Sequence, residues 1–190
     1  MTDQPYSWLP VPDEADVPAA GRAIFDAMQA ARGYVPRVVR AFALNGEHMG
    51  ASFSYLMKLM APDGENLTKR EKEIIAVVVS VENKCLYCVA SHRAQLATAT
   101  GDEAFAHQVA INYRQVPALS ARERALADFA VKLTRESAAT QASDHDRLRE
   151  HGLGDREILE AIEVAAFFNY TNRLCSGLGL QPDPELLPRA

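Results

Sequence analysis

Apolar residues recur every three or four positions along most of the chain, as they do on the buried face of an α-helix. Capping residues, glycines and prolines interrupt this pattern and mark the ends of each segment. Together they predict helices at about 18–33, 35–44, 47–60, 68–82, 85–100, 102–112, 121–135, 141–151 and 155–175. We therefore predict a single all-α domain spanning residues 1–190.

The two ends of the chain do not follow the helical pattern. Prolines are frequent within residues 1–18, which are predicted to form an extended arm, and within residues 180–190, which are predicted to form a tail. Trp8 and Leu9 are large apolar residues in the arm. We expect them to dock on the body of the chain or on a neighbouring subunit.

One segment fits two kinds of secondary structure. Residues 74–81 are rich in β-branched side chains, as a buried strand would be. We interpret the segment as a helix because Thr68 and Glu71 form a capping-box pattern just before it. No partner strand is apparent elsewhere in the sequence.

The capping-box pattern occurs a second time further along the chain. Residues 67–71 and 119–123 align without a gap, and each set begins a long predicted helix. We interpret the two copies as a duplicated helical unit. Cysteines follow only the first copy, so the chemistry is expected in that half.

The composition argues against a nucleic-acid-binding or membrane protein. The 190 residues carry a formal net charge of −5, with both signs interspersed. The longest uninterrupted apolar run covers residues 74–79, whereas a bilayer-spanning helix needs about 20 apolar residues. Residues 1–5 also lack the features of a signal peptide, so we expect a cytoplasmic location. No cofactor and no bound metal are predicted.

Two of the three cysteines form a C-x-x-C motif, Cys85 and Cys88, which is followed by His92. On an α-helix these three side chains fall on one face, within about 60° of one another. Glu73 lies on the preceding helix, and a hairpin near Asn83 would fold it back towards the motif. Because cytoplasmic thiols are kept reduced, such a pair is more often catalytic or metal-binding than a structural disulfide.

This set of residues predicts thiol redox chemistry. A helix N-terminus and a nearby imidazole lower the pKa of a thiol from its free value of about 8.5, and the thiolate is the reactive species. Cys88, which is closer to His92, is predicted to attack a small hydroperoxide, and Cys85 to resolve the sulfenic acid to a disulfide. Glu73 would orient His92 or hold a water that carries protons. A thiol or dithiol reductant would restore the pair.

Two other functions are compatible with the same residues. They could form a zinc site in a structural or sensor protein, with the fourth ligand coming from Glu73 or Cys175. The chain could also be a non-catalytic oligomeric scaffold. Cys175 is otherwise interpreted as a small buried apolar residue. An interface, a pocket wall or helix-end hydrogen bonding would account for the polar end of the last helix: Asn169, Tyr170, Asn172 and Arg173.

The spaced motif Glu73-x11-Cys85-x2-Cys88-x3-His92 resembles the active-site motif of the alkylhydroperoxidase AhpD-like and carboxymuconolactone decarboxylase superfamily. The chain is most similar to the uncharacterised peroxidase-related branch of that superfamily. The resemblance extends over about residues 9–180 and is carried also by the segments 9–12, 35–38 and 168–173.

This resemblance implies an all-helical fold, homo-oligomers and cysteine-based reduction of hydroperoxides. The second cysteine of the family motif is the peroxidatic one, which corresponds to Cys88, with Cys85 as its partner and Glu73 and His92 in a proton relay. One position departs from AhpD itself, which has a histidine just before the second cysteine where this chain has Tyr87. Decarboxylases of the superfamily lack the cysteine pair, so decarboxylation is not expected.

Overall fold

In the computed structural model the described residues are 5–62 and 66–187, and they form α-helices joined by short turns. In chain order the helices are α1 (Ala19–Arg32), α2 (Arg37–Phe42), α3 (Gly46–Leu59), α4 (Lys69–Glu82), α5 (Leu86–Thr100), α6 (Glu103–Asn112), α7 (Ala121–Arg135), α8 (Ala142–Glu150) and α9 (Asp155–Gly177). No β-strand occurs among the described residues, so the all-α prediction is confirmed. None of the helices in this part of the chain has the length and apolar character that a membrane span needs.

Helix α4 is the centre of the fold. Helices α5, α6, α7 and α9 all pack against it. Residues 74–79 are at most 2% exposed, which means that this part of α4 is buried on every side. A helix enclosed in this way needs apolar residues on all of its faces. The β-branched run that also fitted a strand therefore reflects burial, and the helical interpretation is confirmed.

Both predicted capping boxes are present, at the starts of α4 and α7. The side chain of Thr68 accepts a hydrogen bond from the backbone N–H of Glu71, whose carboxylate accepts one from the backbone of Thr68. Ser120 and Glu123 make the same reciprocal pair. Each box satisfies backbone donors that a helix start leaves without partners.

The two capping boxes are also joined to each other. Arg70 Nε lies 2.5 Å from Glu123 Oε1, and Arg122 Nε lies 2.7 Å from Glu71 Oε1. Each arginine holds the same place in its own copy of the pattern, and each reaches the glutamate of the other copy. This crosswise exchange ties the starts of α4 and α7 together and supports the duplicated helical unit.

The N-terminal arm lies along the segment that follows α9. The backbone N–H of Trp8 donates to the Leu178 carbonyl at 2.8 Å, and that of Gln181 donates to the Tyr6 carbonyl at 3.0 Å. Trp8 packs over Gly179, where an added Cβ would come within 2.2 Å of the indole ring. The backbone of the arm therefore docks on its own chain, but Trp8 and Leu9 remain 76% and 50% exposed, so the docking expected of these two residues is only partly met within one chain. The outermost residues of the predicted arm and tail, and a turn expected at residues 63–64, lie outside the described residues.

Candidate active site

A tight turn between α4 and α5 positions the C-x-x-C motif. Asn83 ends α4, and Lys84 has a left-handed backbone with φ of 54°. The N–H of Cys85 donates to the Ser80 carbonyl, and that of Lys84 to the Val81 carbonyl, both at 3.0 Å. These two bonds form a Schellman motif, in which the position of Lys84 is usually a glycine. The sequence predicts Cys85 in the first turn of α5. In the structure it is the N-cap, and the helix begins at the next residue, Leu86.

Three sulfur atoms meet at the start of α5. The Sγ atoms of Cys85, Cys88 and Cys175 all lie within 4.8 Å of one another, and all three are buried free thiols. Cys175 reaches the motif from α9, which runs alongside α4 and α5. It is buried, as interpreted from the sequence, and its sulfur belongs to the cysteine cluster, a place that the sequence suggested only for the alternative zinc site.

The cysteine cluster distributes its protons unequally. The thiols of Cys175 and Cys88 act as hydrogen-bond donors to Cys85 and lower its pKa to about 3, against the opposing effect of burial. The pKa of Cys88 is raised, because the proximity of Cys85 and burial together outweigh the lowering effect of Cys175. The pKa of Cys175 is raised by Cys85, by Cys88 and by burial. The arrangement favours a thiolate on Cys85 with two thiol donors beside it.

His92 and Glu73 form an acid–base pair across the α4–α5 hairpin. His92 Nδ1 lies 2.8 Å from Glu73 Oε2, and Lys69 Nζ lies 2.7 Å from Glu73 Oε1. Burial raises the pKa of the Glu73 carboxyl, but His92 and Lys69 outweigh this effect and lower the pKa overall. An ionised Glu73 accepts the proton on Nδ1, which leaves Nε2 as the nitrogen that can exchange a proton. The Phe168 ring, with its centroid 4.4 Å from that of the imidazole, contacts His92 edge to face.

A small cavity of about 90 Å³ lies beside the cysteine cluster. Cys88, Cys175 and His92 line it, whereas Cys85 is not part of its wall. The remaining wall is mainly apolar and includes Met28, Pro36, Val38, Phe42, Phe53, Leu56, Phe167 and Phe168. Apolar walls with a few convergent polar groups are typical of small-molecule sites. Cys88 is thus the motif cysteine that faces the cavity.

Polar side chains of α9 hold the turn that precedes Cys85. Asn172 is fully buried, donates to Ser80 Oγ at 3.1 Å and accepts from Asn83 Nδ2 at 3.0 Å. The same Asn83 amide donates to Asn169 Oδ1 at 3.0 Å, and Arg173 donates to the Asn169 side chain at 2.8 Å. Two of the four polar residues at this end of α9, Asn169 and Asn172, therefore bond across to the end of α4 and its turn. Sequence reasoning noted these α9 residues but not their partners Ser80 and Asn83.

Tyr87, at the position that departs from the family motif, is bound to the segment after α9. Its hydroxyl donates to Asp183 Oδ2 at 2.7 Å, while Asp183 Oδ1 accepts from the backbone N–H of Arg37 at 2.7 Å. Burial and the Asp183 carboxylate raise the pKa of Tyr87, which keeps the hydroxyl protonated. Tyr87 therefore fastens α2 and the C-terminal segment to α5.

Comparisons with known proteins agree with this fold and motif. Residues 46–112 match the carboxymuconolactone decarboxylase family. The chain is 36% identical to an uncharacterized peroxidase-related protein with an alkylhydroperoxidase AhpD core from Ralstonia eutropha JMP134, with a TM-score of 0.91 and coverage of 98% of this chain and 100% of that one. It is 38% identical to an uncharacterized peroxidase-related protein from Silicibacter sp. TM1040, with a TM-score of 0.89 and coverage of 98% and 97%.

A more distant structure shares the fold alone. The debrominase Bmp8 is 16% identical to the chain, with a TM-score of 0.79 and coverage of 93% of this chain and 92% of that one. A comparison with curated proteins found no match.

Proposed function

Because the chain belongs to the AhpD-like, peroxidase-related branch of the carboxymuconolactone decarboxylase family, we propose that it is a cysteine-based hydroperoxide reductase. The observation that carries this proposal is the shared cavity. Cys88 and His92 both line it, and the sulfur of Cys85 lies within 4.8 Å of that of Cys88. A nucleophile, a proton carrier and a second thiol are therefore available at one place.

The first step requires Cys88 to ionise. The thiolate rests on Cys85, and its neighbour Cys88 is still protonated. Transfer of the Cys88 proton to Cys85 places the charge on the sulfur that faces the cavity. The Cys88 thiolate then attacks the terminal oxygen of the hydroperoxide, and the O–O bond breaks. The products are a sulfenic acid on Cys88 and an alkoxide, which takes a proton from His92 and leaves as an alcohol.

The second step regenerates a stable enzyme form. Cys85 gives up the proton that it took from Cys88 as its sulfur attacks the sulfenic sulfur of Cys88, an S–S bond forms, and the S–O bond breaks. The departing hydroxide takes a proton and becomes water. An external thiol or dithiol then supplies two electrons and reduces the disulfide. The apolar wall of the cavity favours a small hydroperoxide with an apolar group. Assembly into homo-oligomers stays a prediction.

One observation favours a second candidate function, metal binding by the cysteine cluster. Three sulfurs within 4.8 Å of one another are the ligand type of a thiolate metal site. Cys175 was one of the zinc ligands considered from the sequence, but the grouping leaves out His92, which binds Glu73 instead. A metal held by the three thiolates would block the attack on peroxide.

Mass spectrometry after one equivalent of an organic hydroperoxide separates the two functions. Reduced wild-type protein is expected to consume the hydroperoxide and form a disulfide that includes Cys88. The variant C85S/C175S lacks both neighbouring thiols and is expected to accumulate a Cys88 sulfenic acid that dimedone traps. Cys88→Ser is the matched inactive control. Unconsumed hydroperoxide, unmodified thiols and stoichiometric zinc in protein purified without chelator would show that the metal-binding function is correct instead.

A further inference from the structure

We propose that Cys175 is a second resolving thiol, which forms a disulfide with Cys88 in competition with Cys85. This inference rests on the proposed function, since it needs a sulfenic acid on Cys88. Cys175 and Cys88 both line the cavity, and their sulfurs lie within 4.8 Å of each other. The sulfur of Cys85 also lies within 4.8 Å of that of Cys88, but Cys85 is not part of the cavity wall. A sulfenic acid on Cys88 therefore has two thiols close by, of which only Cys175 lines the cavity.

The position of Cys175 is held rigidly. Asn172 precedes it by about one turn on α9 and is fully buried, bonded to Ser80 in the last turn of α4 and to Asn83 in the turn that leads to Cys85. The same network that fixes the turn therefore fixes the distance from Cys175 to the motif. A buried residue that served only to fill space would need neither a sulfur within reach of two thiols nor a place on the wall of the cavity.

The reaction balances without a further reagent. Cys175 gives up its thiol proton as its sulfur attacks the sulfenic sulfur of Cys88, an S–S bond forms, and the S–O bond breaks. The hydroxide that leaves takes one proton and becomes water. No electrons enter or leave the protein in this step, because the hydroperoxide has already oxidised Cys88.

The two resolving thiols differ in how fast they attack the sulfenic acid and in the disulfide that they form. The pKa of Cys85 is lowered, so this thiol loses its proton readily and attacks first, whereas the pKa of Cys175 is raised and it attacks more slowly. A Cys88–Cys175 disulfide joins two residues of the cavity wall, so it closes the site to a second hydroperoxide. Cys175 thereby protects Cys88 from oxidation to the sulfinic acid whenever Cys85 has not yet resolved the sulfenic acid.

Trypsin makes the two disulfides easy to distinguish. It cleaves after Lys84 and Arg93, so Cys85 and Cys88 stay on one peptide, 85–93. Cleavage after Arg173 places Cys175 on another peptide. A Cys85–Cys88 disulfide is therefore a loop within one peptide, whereas a Cys88–Cys175 disulfide links two peptides.

The experiment treats reduced Cys85→Ser with one equivalent of cumene hydroperoxide and dimedone, followed by a non-reducing digest. We expect the peptide 85–93 to be linked to the peptide of Cys175, with little dimedone adduct, whereas C85S/C175S is fully labelled on Cys88. In wild-type protein the linked peptides are expected as the minor disulfide. If Cys85→Ser is labelled by dimedone to the same extent as C85S/C175S, Cys175 does not resolve and the inference is wrong.

The controls separate this failure from failure of the proposed function. If C85S/C175S forms no adduct and wild-type protein leaves the hydroperoxide unconsumed, Cys88 does not react and the proposed function itself fails. Cys85→Ala repeats the test with a residue that cannot hydrogen-bond. A third measurement treats wild type and Cys175→Ala, which both keep Cys85, with excess hydroperoxide. Cys175→Ala is expected to accumulate more Cys88 sulfinic acid than wild type. Equal amounts in the two proteins would contradict the protective role.

Discussion

Nδ1 of His92 and Oε2 of Glu73 lie 2.8 Å apart although the two residues belong to different helices. Glu73 is 1% exposed, and Lys69 holds its second oxygen. The pair fixes the orientation of the imidazole in the cavity wall. In the proposed reaction this geometry makes His92 the proton donor to the leaving alkoxide.

We expect His92→Asn to lower kcat/KM for an organic hydroperoxide by about 100-fold, the usual contribution of a general acid. Glu73→Gln keeps the shape of the side chain but removes its charge, so it should lower kcat/KM by a smaller factor. Steady-state kinetics across pH would measure both effects. His107→Asn, which changes an exposed histidine of α6, is the matched control. Unchanged kcat/KM in His92→Asn would exclude a role in proton transfer.

The Glu73 carboxylate should make the stability of the protein depend on pH in the acid range. The pKa of Glu73 is lowered on folding, so its ionisation stabilises the native state above the unfolded pKa of about 4.3. This stabilisation is lost as the pH falls through the lower, folded-state value. Urea unfolding of wild type and Glu73→Gln at a series of acid pH values should show their difference in unfolding free energy changing in that range. A constant difference would mean that Glu73 titrates normally.

Cys85 should remain a thiolate far below the pH at which a free thiol is protonated. Its pKa is lowered to about 3, whereas that of a free thiol is about 8.5. The ultraviolet absorbance of thiolate should therefore persist in reduced protein from neutral pH into mild acid. Cys85→Ser should lose the band at neutral pH, while Cys175→Ala removes one hydrogen-bond donor to Cys85 and should shift the disappearance of the band to higher pH. A wild-type band that disappears near the pKa of a free thiol would contradict the prediction.

Tyr87→Phe should destabilise the protein by about 1–3 kcal/mol, because the buried Asp183 loses the hydroxyl that donates to it. The pH profile of kcat/KM should stay the same, since this hydroxyl is bound to Asp183. Chemical denaturation and steady-state kinetics test the two parts separately. Tyr170→Phe is the control, because its ring is 47% exposed. A shifted pH profile would instead place Tyr87 in the proton relay.

Lys84→Gly should stabilise the protein by about 1 kcal/mol, because a left-handed backbone is strained for any residue with a Cβ. The control is the opposite kind of substitution, Gly101→Ala. Gly101 has φ of 67° with no atom within 4 Å of an added Cβ, so this change introduces the same strain without a clash and should destabilise by a similar amount. Thermal unfolding measures both. A loss of stability in Lys84→Gly would show that the lysine side chain stabilises the turn.

The parts of the site that sequence could predict are those that depend on neighbouring residues. The capping box of Thr68 and Glu71 needs only one helical turn, and the face shared by Cys88 and His92 needs only the helical repeat. The approach of Glu73 required one further assumption, a hairpin at Asn83. Each inference spans a single helix or a single turn, where local geometry leaves few alternatives.

Cys175 and Asn172 could not be assigned in the same way. Their positions depend on how α9 lies against α4 and α5, and that register results from the packing of the whole core. Asn172 gave a partial signal, because a polar residue within an apolar helix usually needs a partner. For Cys175 the sequence shows only that the residue is a cysteine, and no pattern fixes which residues lie beside it. Tyr87 was recognised as a departure from a motif, but Asp183 is too distant in sequence for any pattern to pair them.

The apolar surroundings of the cysteine cluster come from distant parts of the chain, among them Val11 of the arm, Ala41 of α2 and Leu180 after α9. A growing polypeptide is synthesised from its N-terminus, so Cys85 and Cys88 are made well before Leu180. Until the later segment arrives, both thiols are open to the oxidants and reductants of their surroundings. The newly made chain therefore carries this dithiol before the walls of its own pocket are complete.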